Sequence, residues 1–295
     1  MANPISEREV VPPIQDRLNE VLSLMANVLD STPLAFLTAG EHGLFAPSKM
    51  LRSRLLFRIG PALGTHPKTL LHAAAATEMI HLASLLHDDV IDGGVLRRGA
   101  PAFWVKRGVS GAILLGDMLL IKSLDIICQV ENSLLAHPFV TFTAEVCEAE
   151  AEQELIFRGK QLNWDECVRI ARGKTGALFA FPAYAAAAGD PTSQQTLTEA
   201  GYRIGTAYQL ADDILDAMGN DEDSGKTVGT DSARAKNTVM SYLEQGIEPR
   251  AYIESLCQSA RELLHELPKV YEAWEEYMSC DLYPELSRHL ELIEK

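Results

Sequence analysis

The stretch from Leu70 to Ile91 constrains this chain most. It holds no proline and no glycine, and it carries Ala73 to Ala76, Glu78, Met79, Ile80, Leu82, Leu85 and Leu86. Alanine and leucine are the strongest helix formers, so the stretch predicts a helix. Gly93 and Gly94 supply the usual C-terminal stop. The helix must then end on His87-Asp88-Asp89-Val90-Ile91-Asp92. A helix C-terminus carries partial negative charge and disfavours an acid there by roughly 0.3–1 kcal/mol. Asp88 and Asp92 are i and i+4 and share a face, with Asp89 about 100° round the axis. Dipole and mutual repulsion both oppose such a cluster. A multivalent cation would relieve both, because hard divalent ions take carboxylate oxygens and magnesium commonly adds a substrate phosphate.

One such cluster reads equally well as a solvated acidic helix end. The sequence repeats it, however. Leu210-Ala211-Asp212-Asp213-Ile214-Leu215-Asp216 has the same spacing, also follows an apolar run and also stops near a glycine, Gly219. Repetition favours metal binding, with Asp88, Asp89, Asp92, Asp212, Asp213 and Asp216 as the candidate ligands. Arg97 and Arg98 follow the first cluster within a few residues, and guanidinium is the preferred fork for phosphate. Lys174 lies in Gly173-Lys174-Thr175-Gly176, inside a helical pattern. Glycines within a helix cost about 1 kcal/mol each, so the pair predicts a bend or a close approach near Lys174. A phosphate-binding loop of the strand–glycine–lysine kind is excluded there, since neither the earlier glycine nor a preceding strand is present.

The rest of the chain is helical in pattern. Leu18, Val21, Leu22, Met25 and Leu29 set an amphipathic helix over 14–30. Further helices are expected over 109–130, with Asp117 inside as a structural polar group, over 139–157 and over 163–188. The last of these has Asn163 as its cap and Asp165 and Glu166 in its first turn. The helix bearing the second acidic cluster spans 193–218, and 237–295 forms a helical coat. Residues 38–47 read as a turn region and 219–236 as a polar loop. Alternating strands with turn dipeptides are lacking, so the fold class is all-α. At 295 residues the chain is long for one domain, yet no linker or composition break divides it. The expectation is a loose tail over 1–13 and a single helical domain over 14–295. A hydrophobic content of 47% allows a large core, and a net charge of −15 argues against nucleic acid as a partner. The five cysteines show no close pairing, no secretory h-region leads the chain, and the longest apolar runs fall short of a span. Together these point to a reduced, cytoplasmic protein.

The two DDxxD clusters with Arg97-Arg98-Gly99 resemble the trans-isoprenyl diphosphate synthases, the head-to-tail prenyltransferases, and the motif resemblance runs from about Lys49 to Lys236. It implies a bundle of roughly ten or more helices around a central cavity, with the two clusters facing each other and holding Mg2+, three ions per site. It also implies roles. Arg97, Lys174, Lys226 and Lys236 would bind an allylic diphosphate, and Thr175 and Gln209 would line the reaction centre beside Lys174. Lys49, Arg52, His81 and Arg98 would bind isopentenyl diphosphate. The family's glycine-glycine-lysine-arginine-x-arginine-proline motif is altered here: Pro47, Ser48, Met50 and Ser53 replace both glycines, the first arginine and the proline. Arg54 is a candidate to supply the missing cation. Glu150 and Gln153 match a glutamate and a glutamine the family often carries. Ala235 and Met240 stand where the family has a glycine before Lys236 and a proline after it.

The implied reaction is ionisation, condensation and elimination, with the departing diphosphate taking the last proton. Chain length would be read along the first acidic helix. Ala83 and Ser84, one turn before Asp88, are small, so the tunnel would continue towards Ile80, and the product would be geranylgeranyl diphosphate or longer. The resemblance further implies a homodimer, with a heterodimer as the alternative, and at most peripheral membrane contact through the product. Three competing readings follow: a non-catalytic or partner-dependent subunit, a class I terpene cyclase, and a helical scaffold with incidental acids. The second DDxxD speaks against the cyclase.

Overall fold

The computed structural model describes residues 12–30, 32, 49–131, 134–158, 160, 162–218 and 247–290, with the side chains of 214–218 excepted. The expected tail over 1–13, the turn over 38–47 and the loop over 219–236 fall largely or wholly outside these residues. Eleven α-helical segments are present among those described: α1 Ile14–Asp30, α2 Leu51–Ala62, α3 Pro67–Asp92, α4 Phe103–Cys128, α5 Ala136–Ala151, α6 Trp164–Ala171, α7 Ala177–Ala186, α8 Pro191–Met218, α9 Pro249–Leu263, α10 Pro268–Tyr277 and α11 Tyr283–Leu290. The all-α expectation holds.

α3 is the helix predicted from the alanine-rich stretch. It begins three residues earlier, with Pro67 in its first turn and the His66 imidazole accepting from the Lys68 N–H. It stops where expected, at Gly93 with φ 68°. A helix apolar all round belongs in a core, and α3 is buried along most of its length, from Leu70 through Leu86 to Asp89. It is long and apolar enough to cross a membrane, but most of that surface is inside the fold.

Two hydrophobic clusters flank the middle of the molecule. One gathers side chains of α1, α3, α4 and α5 around Met79, Leu119 and Phe139. The other gathers α8, α9, α10 and α11 around Trp274 and Tyr277. Three elements feed both: α2, α7 and α8, whose Tyr202 joins the first cluster while Leu197 and Ile204 join the second. Leu56 and Phe57 of α2 face the first cluster, and Leu55 and Ile59 face the second. Phe181 and Ala185 of α7 face the first, and Phe179 and Ala183 face the second. α7 is therefore a buried wall between two cores.

Three single-turn π segments join or extend the helices: Glu152–Ile156 after α5, Arg172–Gly176 between α6 and α7, and Met278–Leu282 between α10 and α11. The Arg172–Gly176 turn is the irregularity predicted at Lys174. A Cβ on Gly173 would meet the Ala149 Cβ at 2.6 Å, and a Cβ on Gly205 would meet Gly176 at 2.8 Å. The glycines are there so that α5, the π turn and α8 can approach closely.

Nothing in the period of the sequence announces the strand pair present among the described residues. β1 Leu96–Arg97 pairs antiparallel with β2 Ala100–Pro101. The turn between them, Arg98-Gly99, has φ 53° and 72°, the two consecutive positive values a tight two-residue hairpin needs. Two-residue strands are too short to show an alternation. Asp117 is mostly exposed and lies 3.4 Å from the His87 imidazole.

Candidate active site

The first acidic cluster divides its labour. Asp89 is 4% exposed and accepts from Arg97 Nε at 3.0 Å. The short hairpin aims Arg97 back at the helix end it follows. Burial opposes the Arg97 charge, but Asp89, Asp88 and Asp212 outweigh it and raise its pKa. One guanidinium thus feels both acidic clusters. Asp88 is different. Burial first, then repulsion from Glu150 and Asp92, push its carboxyl up to about 7 against the pull of Lys174. A carboxylate held so reluctantly in its charged form is one a cation would stabilise.

Lys174 sits on the π turn and reaches the Glu150 carboxylate and, at 2.9 Å, Gln153 Oε1. Burial would lower its pKa, but Glu150, Asp88 and Asp92 raise it, so the ammonium stays charged. The neighbouring Thr175 hydroxyl donates to Gln209 Oε1, and Gln209 Nε2 donates to Asp213 Oδ1 at 2.8 Å. A continuous polar path therefore runs from the π turn to the second acidic cluster. Of that cluster, Asp212 and Asp213 are placed; the Asp216 side chain, Lys226 and Lys236 lie outside the described residues.

A second group of cations lies on α2, α3 and the hairpin. Arg52 is buried, its guanidinium lies 5.0 Å from the centroid of the Phe179 ring, and its Nε has no hydrogen-bond partner among the described residues. His81 Nδ1 is likewise buried and unpartnered. Burial, with Arg52, Arg98 and Arg97 adding repulsion, holds the His81 imidazole well below its usual pKa and therefore neutral. Lys49 is partly exposed and pairs with Glu285 of α11 at 2.5 Å. Arg54 does not make up the missing cation: it is spent on Asp281 at 2.9 Å and on the Lys49 carbonyl at 2.9 Å.

The donors suit divalent ions. All are carboxylate oxygens at the ends of two helices, and the charged state of Asp88 is destabilised without a cation. No three His, Cys, Asp or Glu side chains among the described residues converge on one ion position. Magnesium is usually held by one or two carboxylates, with substrate phosphates completing its shell.

The expected chain-length residues are placed as follows. Ala83 and Ile80 are buried in the first core cluster, and the Ser84 hydroxyl is turned back to the His81 carbonyl at 2.8 Å. The sequence reading missed the aromatic group in the same cluster, where Phe139 and Phe181 meet edge-on with centroids 4.9 Å apart and Phe142 lies 5.9 Å from Phe181. It also missed Glu78, although a lone acid inside the apolar run of α3 was a signal, and Glu285, which no local pattern marks.

Comparison with known proteins fits this geometry. A family model described as polyprenyl synthetase matches residues 35–273. The chain is 32% identical over 251 residues to a geranylgeranyl diphosphate synthase of Methanosarcina mazei, covering 81% of this chain and 77% of the relative. It is 31% identical over 279 residues to a farnesyl diphosphate synthase of Haemophilus influenzae, covering 88% and 92%. The crystal structure of a polyprenyl synthase from Caulobacter crescentus, complexed with calcium and isoprenyl diphosphate, matches with a TM-score of 0.73 at 25% identity, covering 96% of this chain and 93% of that one. With both acidic clusters, the hairpin arginines and the lysine of the π turn gathered at one site, this chain belongs to the polyprenyl synthetase family of trans-prenyltransferases.

Proposed function

We propose that this protein is a magnesium-dependent prenyl diphosphate synthase that adds isopentenyl diphosphate to an allylic diphosphate and releases geranylgeranyl diphosphate or a longer product. The observation that carries the reading is that Arg97, hydrogen-bonded to Asp89, and the half-buried Lys174, paired with Glu150, both act on Asp88, with Asp212 also within the field of Arg97. That is where a diphosphate leaving group would need fixed positive charge.

In this reading Asp88, Asp92, Asp212, Asp213 and Asp216 hold the magnesium ions, three per site, and Asp89 orients Arg97. When bound, the ions supply Lewis-acid stabilisation of the departing diphosphate. Arg97 and Lys174, with Lys226 and Lys236, hold the allylic diphosphate and meet the charge that grows as the carbon–oxygen bond breaks. Glu150 and Gln153 keep Lys174 in place. Thr175 and Gln209 present oxygens towards the allylic carbon. Arg52, neutral His81, Arg98 and Lys49 hold isopentenyl diphosphate so that its double bond faces that carbon, and this alignment supplies much of the acceleration. No side chain is an obvious base, so the released diphosphate takes the proton. Apolar walls from α3, α4 and α7 exclude the water that would quench the cation.

Small side chains at Ala83 and Ser84 support a product beyond farnesyl. The exposed apolar residues Val109, Ile113, Leu114 and Ile121 of α4 support a homodimer. The five cysteines are all free, which supports a reducing, cytoplasmic setting. Product chromatography after incubation with magnesium, isopentenyl diphosphate and each allylic primer tests the reading: chains that stop at farnesyl would refute the product length, and no condensation would refute the activity. The pairing of Lys49 with Glu285 favours a partner-dependent subunit as the second reading, which full activity of the isolated chain would remove.

A further inference from the structure

Glu78 is the acid on which the cationic side of the site is built, and none of the steps above uses it. It lies on α3 three residues before His81 and is 5% exposed. A buried carboxylate is costly unless it is paired and hydrogen-bonded. Its Oε1 accepts from the Ser53 hydroxyl at 2.7 Å and from the Ser53 N–H at 3.3 Å. Ser53 has no exposed surface and follows Arg52 in the first turn of α2. The two cations that pull on the Glu78 charge are Arg52 and Arg98.

The division of bonds matters. Glu78 accepts its hydrogen bonds from Ser53 and offers Arg52 only its charge, and this leaves Arg52 Nε unpartnered in the interior. His81 Nδ1 is left unpartnered on the same side. Had the carboxylate taken Arg52 Nε directly, the cradle would be neutralised and closed. A proline at position 53 could make neither bond to Glu78, so the clamp depends on the serine this chain carries.

We propose that Glu78, acting through Ser53, is a positioning residue for isopentenyl diphosphate: it ties the first turn of α2 to α3, holds Arg52 beside α3 without taking its Nε, and leaves the buried nitrogens of Arg52 and His81 for the diphosphate. This rests on the assignment of those cations to isopentenyl diphosphate in the proposed function. Glu78 touches neither substrate, so its loss acts on one Michaelis constant and not on the other.

The test is steady-state kinetics with each substrate varied in turn, on the wild-type chain, E78Q and S53A, with thermal melts to show that each is folded. E78Q is expected to raise KM for isopentenyl diphosphate by about tenfold, and S53A by about threefold, while KM for the allylic diphosphate moves less than about twofold. S53A keeps the buried charge pair, so it carries the test should E78Q not fold. Unchanged constants in the folded variants, or both constants rising together as a general loss of structure would give, overturn the proposal. Wild-type protein that consumes no isopentenyl diphosphate overturns the reading of the whole site and the proposal with it. Wild-type turnover with an unmoved E78Q and S53A overturns the proposal alone.

Discussion

In the proposed reading the two halves of the site solve the same problem, holding a diphosphate in an acidic protein, in opposite ways. On the allylic side the described cations and Gln209 are already engaged: Lys174 by Glu150 and Gln153, Arg97 by Asp89, and Gln209 by Thr175 and Asp213. Carboxylates crowd there, and burial first, then repulsion from Glu150 and Asp92, push the Asp88 carboxyl up to about 7. On the isopentenyl side the inward donors of Arg52 and His81 are bare, and the acids stand behind or beside the cations as Glu78 and Glu285. In the proposed reading the first half binds through metal held on its carboxylates, whereas the second offers buried nitrogens of Arg52 and His81 that no group among the described residues has taken. Burial explains the contrast. A charge away from water must be answered by another charge: carboxylates already answer Arg97 and Lys174 directly, whereas Glu78 answers Arg52 without a hydrogen bond to it.

The largest effect should come from the metal-dependent half. Asp88→Ala or Asp212→Ala is expected to lower kcat by roughly 10²–10³-fold, as loss of charge stabilisation at a leaving group commonly does, and to reduce magnesium binding measured by titration. Comparable activity in both variants would break the contrast. Next is Lys174→Gln, expected to cost on the order of 10²-fold in kcat while KM for isopentenyl diphosphate stays put. A change confined to that KM would place Lys174 on the wrong half. Ala83→Phe is expected to shorten the product with the turnover of the first condensation retained. An unchanged product profile on chromatography would move the tunnel floor to the Phe139 and Phe181 group. The smallest effect belongs to Glu285→Gln. It releases Lys49 from a partly exposed ion pair worth about 0–1 kcal/mol, so KM for isopentenyl diphosphate should fall by no more than about fivefold, and a rise would show that Glu285 aids the cradle.

The sequence reading reached unequal depths in these two halves. The allylic half was legible because its signals are local and periodic: acids at i, i+1 and i+4 on two helix ends, two adjacent arginines after the first, and glycines around one lysine. The isopentenyl half was legible only in part. Arg52 and His81 could be named, but nothing in their neighbourhoods says that one lies against Phe179 or that both face inward without partners. Arg54 looked as suitable as Arg52 from its place in the same helix turn, and only the structure commits it to Asp281, 227 residues away in sequence.

What the sequence alone determined is therefore the helical class, the helix that ends on Asp88 to Asp92, its repeat at Asp212 to Asp216, and the irregular turn at Lys174. Each follows from propensity, spacing and capping over a few residues. Tertiary structure alone decided which cations stay free, which acids restrain them, and that α7 is a wall shared by two cores. Those properties depend on pairings between distant segments and on which side chains are shielded from water, and neither is written in any short run of residues.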